Sequence, residues 1–91
     1  IGGVMRAMAA GEVLVSRHDG FKPGDKVSGM FGWQEYAVVD GQDRLLPIQK
    51  LAPGVTEEMA LSVLGITGLT AYFGMLDVGR PQPGDTVAVS G

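Results

Sequence analysis

Few side chains in this sequence combine a reactive type with a telling position. Thr67 and Thr70 stand at the start of an apolar helical pattern. A hydroxyl at a helix start can cap the helix or donate to a ligand carbonyl. Capping is the simpler role for Thr67. Thr70 lies a turn further in, so its hydroxyl either bonds back to the helix backbone or meets a ligand. At the other end, Val87-Ala88-Val89-Ser90-Gly91 is an apolar run that stops at a glycine. A strand of this kind can feed a loop whose amides, with the next helix, hold a pyrophosphate. One strand and one glycine also describe an ordinary strand end.

The other candidates have plainer readings. Arg17-His18-Asp19 is polar and precedes a turn, which suits an exposed loop histidine better than a base or metal ligand. Glu57 and Glu58 follow Thr56 directly, where acids complement the dipole of a starting helix. Trp33 and Tyr36 could line a pocket, but core or surface aromatics are the default, and the Tyr36 hydroxyl needs a partner if buried. Met5, Met8, Met30, Met59 and Met75 read as core fillers. No nucleophile elbow, phosphate-binding P-loop or metal-ligand spacing occurs, so nucleophilic catalysis has no candidate.

The elements that must carry these residues change character midway. Up to Ile48 the chain reads as short strands between glycine turns: residues 11–16, 26–31, 33–40 and 45–48, with turn signals at Asp19-Gly20 and Asp40-Gly41. Pro47 suits an edge or a strand end. Lys22-Pro-Gly-Asp25 returns as Gln82-Pro-Gly-Asp85, and proline then glycine at the centre suits a type II turn. Each copy feeds a strand. Past Pro53-Gly54, Thr56 is a natural N-cap for a first helix, which Gly65 is expected to end in the left-handed conformation. Leu69, Tyr72, Phe73 and Leu76 then form a stripe at i, i+3, i+4, i+7, a second helix. Gly68, Ala71 and Gly74 give that helix a small face open to a backbone or a flat ligand. Residues 77–81 close it, and residues 85–91 read as a strand of the buried, parallel-sheet type.

Composition narrows the classes further. Ninety-one residues make one small domain at most, burying roughly 60% of its unfolded surface. The net charge of -3 with scattered cations argues against a nucleic-acid partner. The absence of cysteine excludes disulfides and Cys-ligated zinc, and a single histidine leaves no His-rich metal site. No apolar run approaches the roughly 18 residues of a membrane span, so no membrane partner is expected. No targeting signal is visible, which makes cytoplasmic the default location. The opening Ile1 and the closing Val-Ala-Val-Ser-Gly read as an internal stretch of a longer chain.

The run Gly65-Ile-Thr-Gly-Leu-Thr-Ala-Tyr-Phe-Gly74 resembles the medium-chain dehydrogenase/reductase superfamily. Pro23-Gly-Asp-Lys-Val27, Gly29-Met-Phe-Gly-Trp-Gln-Glu-Tyr-Ala37 and Pro83-Gly-Asp-Thr-Val-Ala-Val-Ser-Gly91 follow in the family's order. The nearest likeness is to the zinc-free prostaglandin reductase, curcumin reductase and double-bond reductase group. The resemblance implies an α+β, mainly β, chain. Residues 1–55 would be part of a GroES-like catalytic β-barrel, 56–80 two bridging helices, and 81–91 the first strand of a Rossmann dinucleotide-binding domain. It implies an NADPH cofactor, no metal, a small-molecule substrate and a homodimer as the common assembly. Thr70 matches a threonine near the nicotinamide, and Gly91 begins the pyrophosphate loop; both are carried over as cofactor-binding. No catalytic residue is carried over, and the residues that choose NADPH over NADH lie beyond residue 91.

The implied activity is reduction of the carbon–carbon double bond of an enal or enone by hydride transfer. A quinone reductase on the same fold and a non-catalytic GroES-like interaction module are the alternatives. Residues 1–91 by themselves are expected to be inactive, since the phosphate-binding loop is missing and the strand at 86–90 has no partner. Titrating NADPH into a polypeptide of these residues checks this: no binding is expected, and micromolar affinity would overturn it.

Overall fold

The computed structural model describes residues 1–40 and 47–91. The expected segment at 45–48 and the Asp40-Gly41 turn fall partly outside them. Three strands pair in the order β1-β2-β3: β1 (Ala9–Glu12), β2 (Lys26–Gly29) and β3 (Gln49–Lys50). Both pairings are antiparallel. Ala9 faces Gly29 and Glu12 faces Lys26 across the first ladder; Val27 faces Lys50 across the second. Then come α1 (Glu57–Leu61) and α2 (Ile66–Phe73), the latter continued by a wider π-helical segment, Gly74–Gly79.

The repeated Pro-Gly-Asp device forms twice with the same geometry. Gly24 and Gly84 take φ of 92° and 90°, the positive φ that a type II turn requires at its third residue. The Asp25 amide donates to the Lys22 carbonyl at 3.0 Å, and the Asp85 amide to the Gln82 carbonyl at 3.0 Å. Each aspartate also turns its carboxylate back onto the first residue of its turn. The Lys22 amide donates to Asp25 Oδ2 at 2.9 Å, and the Gln82 amide to Asp85 Oδ2 at 2.8 Å. Residues 52–55 close in the same way around Gly54, a third copy without the aspartate.

The strands are shorter than the β-rich stretches that contain them. β1 spans residues 9–12 rather than 11–16. After Glu12, Val13 pairs only with the Pro-Gly-Asp turn, its amide donating to Asp25 and its carbonyl accepting from Gly24. β2 stops at Gly29, because the chain curls so that the Phe31 amide donates to the Gly29 carbonyl. Residues 33–40 form no strand; Gly32 and Trp33 bond instead to the Ala7 and Met5 carbonyls. Residues 85–91 join no ladder and stay exposed, because among the described residues no strand lies alongside to pair with them. A β-propensity run becomes a strand only where a neighbour accepts its hydrogen bonds.

The helices begin as expected but join differently. Thr56 caps α1, its Oγ1 accepting from the Met59 amide at 3.2 Å. Gly65 does not end α1 in a left-handed conformation. Its backbone is extended (φ -108°, ψ -160°) and it starts α2. Thr67 therefore caps nothing; the position before the helix belongs to Gly65, which has no side chain to offer. Only glycine fits at this junction. A Cβ on Gly65 would collide with the Ala60 carbonyl oxygen, and one on Gly68 with the Val63 carbonyl oxygen. Two turns of backbone touch with nothing between them. The end of the helical pattern takes the left-handed conformation at Arg80 (φ 48°), not at a glycine.

The core is small and sits where α1 lies over the middle strand. Among the described residues, Val27, Ser28 and Ala60 are the buried side chains. The radius of gyration is 16.6 Å, against about 12 Å for a compact domain of this length. Leu69, Tyr72, Phe73 and Leu76, the stripe of α2, all stay more than half exposed. Met5, Met30, Met59 and Met75 are also exposed, so these methionines do not fill a core within this chain.

Two glycines of α2 are expected to respond oppositely to alanine. Gly68→Ala must displace the Val63 carbonyl and should destabilise the protein by about 1–3 kcal/mol. Gly74→Ala meets nothing within 4 Å and has helical dihedrals, so it should stabilise by about 0.5–1 kcal/mol through helix propensity. Denaturant unfolding of the two variants measures both signs.

Candidate functional site

Thr70 lies at the centre of α2, on an exposed face. Its hydroxyl donates to the Ile66 carbonyl at 2.7 Å. Of the two roles open to it in the sequence, the back-bond is therefore present. That bond uses the hydroxyl proton but leaves lone pairs on Oγ1, so towards a ligand Thr70 is an acceptor. The small face expected beside it is divided. Gly68 is taken up by the close approach to Val63, while at Gly74, one turn beyond Thr70, there is open space. Gly91 is exposed, with nothing within 4 Å of the place a Cβ would occupy.

A groove of about 280 Å³ lies on the sheet side. Val13, Val15, Phe21, Val27 and Phe31 are among its apolar lining, and His18 lines it too. No residue of α2 lines it, so it is a different place from the surface around Thr70. His18 is occupied locally: its Nδ1 accepts from the Gly20 amide at 3.0 Å, and its ring lies 5.3 Å from that of Phe21. Trp33 and Tyr36 are three-quarters exposed, so neither is a core aromatic within this chain. Among the described residues, no three His, Asp or Glu side chains are gathered so as to hold a metal ion.

Two ion pairs that the sequence does not announce tie the elements together. Lys26 Nζ sits 2.8 Å from Glu57 Oε1, joining β2 to the first turn of α1. Lys50 Nζ sits 3.1 Å from Asp25 Oδ2, joining β3 to the turn that feeds β2. Glu57 is thus more than a dipole-complementing acid. The Lys26 ammonium, then its own amide, holds its carboxyl below the ordinary carboxylate value. Lys26 is raised in return, by Glu57 first. Asp25 is lowered by the Lys22 amide first and by Lys50 second. Nothing in the sequence pairs residue 26 with residue 57 across 31 positions; only their opposite charges were readable.

Residues 1–47 match the family model for the N-terminal domain of oxidoreductases. The NADPH-dependent curcumin reductase of Escherichia coli is 40% identical over 99% of this chain and 25% of its own length. The NADP(+)-dependent 2-alkenal reductase of Nicotiana tabacum is 38% identical over 87% of this chain and 22% of its own. Mouse prostaglandin reductase 1 is 35% identical over 86% and 24%. The chain spans about a quarter of the length of these relatives. It belongs to the oxidoreductase N-terminal domain family, in the zinc-free medium-chain dehydrogenase/reductase group.

The ion pairs carry a pH signature. Asp25 and Glu57 have folded pKa values below their unfolded ones, so the stability they lend is whole above the ordinary carboxylate range and is lost as pH falls from there through the lowered folded values. Lys26 is raised, so its contribution is whole at neutral pH and is lost only as pH climbs past the ordinary lysine value. Asp25→Asn and Glu57→Gln should lower the melting temperature by a few degrees at pH 7, and the deficit should shrink as pH falls below the ordinary carboxylate range. Melting curves from pH 7 downward test it; a deficit that does not shrink with falling pH would point to packing rather than charge.

Proposed function

We propose, from this family membership, that the protein is an NADPH-dependent reductase of the carbon–carbon double bond of enals and enones. The observation that carries the reading is the run Gly65–Gly74, with the shared identity to relatives named for NADP-dependent reduction. Residues 1–55 would then belong to the catalytic barrel, 56–80 to the bridging helices, and 81–91 to the first Rossmann strand. The antiparallel order of β1, β2 and β3 supports the first of these.

The residues fit a nicotinamide on chemical grounds. Thr70 Oγ1, its proton already given to the Ile66 carbonyl, would accept from the carboxamide N–H. Open space at Gly74 leaves room for a flat ring one turn away. Gly91, without a side chain, would let the backbone approach the pyrophosphate. When bound, the cofactor would supply hydride for the β-carbon of the substrate, and the charge developing on the substrate oxygen would need a donor. No side chain described here is assigned that role, or that of proton donor. Homodimerisation and a cytoplasmic location accompany the reading as proposals.

Nicotinamide absorbance in the complete protein tests it, with an enal, a quinone or no acceptor present. Consumption with the enal and release of the saturated aldehyde are expected. Turnover with the quinone alone would replace the substrate class. In the same assay Thr70→Val should raise KM for NADPH about fivefold, the worth of roughly 1 kcal/mol for one hydrogen bond. An unchanged KM would remove Thr70 from the cofactor site.

A further inference from the structure

We infer that Lys26 and Glu57 form a positioning pair for the cofactor site, acting on Thr70 through the helices; this rests on the reading of Thr70 given above. The pair is the one ion pair between the sheet and the helices among the described residues. It joins β2, the middle strand, to the first turn of α1. Beside it, Ala60 of α1 is buried where the helix crosses β1 and β2. The connection then continues without compliant side chains. The Ser62 carbonyl accepts from the amides of Gly65 and Gly68, and the Leu69 amide donates to the Gly65 carbonyl. Gly68 lies against the Val63 backbone, with no side chain between to absorb a shift. A change in the seat of α1 therefore passes to α2, and Thr70 is two residues beyond Gly68.

Of the short α1 seat, Ala60 offers little apolar area, so direction must come from elsewhere. The Lys26–Glu57 pair supplies it, at a point one helical turn from Ala60. Glu12 and Glu58 also face Lys26, so a lost Glu57 leaves the lysine attracted to other carboxylates and α1 free to drift. Both members are partly exposed, at 49% and 32% of their side chains. A pair this exposed adds little stability of its own.

The test uses the complete enzyme and five variants. Glu57→Gln and Lys26→Met are expected to raise KM for NADPH two- to fivefold, with kcat for the enal within twofold and the melting temperature within a few degrees. Lys26→Arg keeps the charge and should restore the wild-type KM. Glu58→Gln removes an equal charge from the same helix turn without breaking the pair, and should leave KM unchanged. Thr70→Val is measured alongside. A raised KM in Thr70→Val with no change in Glu57→Gln or Lys26→Met would overturn the positioning role alone. No effect in Thr70→Val would overturn the cofactor reading on which it rests. Equal rises in Glu57→Gln and Glu58→Gln would assign the effect to helix charge and overturn the pair.

Discussion

The contact of backbone on backbone at Gly65 and Gly68 is the constraint on which the helical half depends. Helices that meet through side chains can slide as those side chains change rotamer. Here the Ala60 and Val63 carbonyls occupy the places where Cβ atoms would stand. The angle between α1 and α2 is set by peptide groups, which do not bend cheaply. The amides of Gly65 and Gly68 share the Ser62 carbonyl, so the tight link also satisfies polar backbone groups that would otherwise be stranded between two helix ends. Thr70 inherits its position from this link.

The β half is held by a different means. Three short strands cannot bury much, and Val27 and Ser28 are the side chains they enclose. What fixes them is local closure. The Pro-Gly-Asp turn before β2 is bound three ways: by its own i to i+3 bond, by the Asp25 carboxylate on the Lys22 amide, and by Lys50 reaching over from β3. Asp25 and Lys26 are neighbours, yet they hold opposite partners, one on β3 and one on α1. Two adjacent charges thus connect three elements around a core too small to do so alone.

Much apolar surface is left uncovered. The stripe of α2 and the valines at 87 and 89 stand in solvent, and the radius of gyration exceeds that of a compact domain. A helix that is apolar on more than one side is at home inside a larger packing arrangement. Relatives of the family are about four times as long as this chain, so their additional residues are available to cover such a surface.

What the sequence determined alone was everything governed by neighbours along the chain. The Thr56 cap needs only a hydroxyl and an amide three residues on. The paired Pro-Gly-Asp turns need a fixed proline, a glycine at positive φ and a carboxylate within reach of its own turn. The helix over residues 66–73 needs only its periodicity. The family likeness was legible in the same local runs. The tertiary structure decided the rest, because those outcomes depend on which distant groups arrive. Strand lengths were set by the partners available at each ladder, which is why residues 33–40 and 85–91 join no ladder despite their β-rich composition. Gly65 begins a helix rather than ending one, at a place where the Ala60 carbonyl oxygen leaves room for no side chain. Lys26 met Glu57 across 31 residues because α1 crosses the sheet at that point, a juxtaposition that no local pattern encodes.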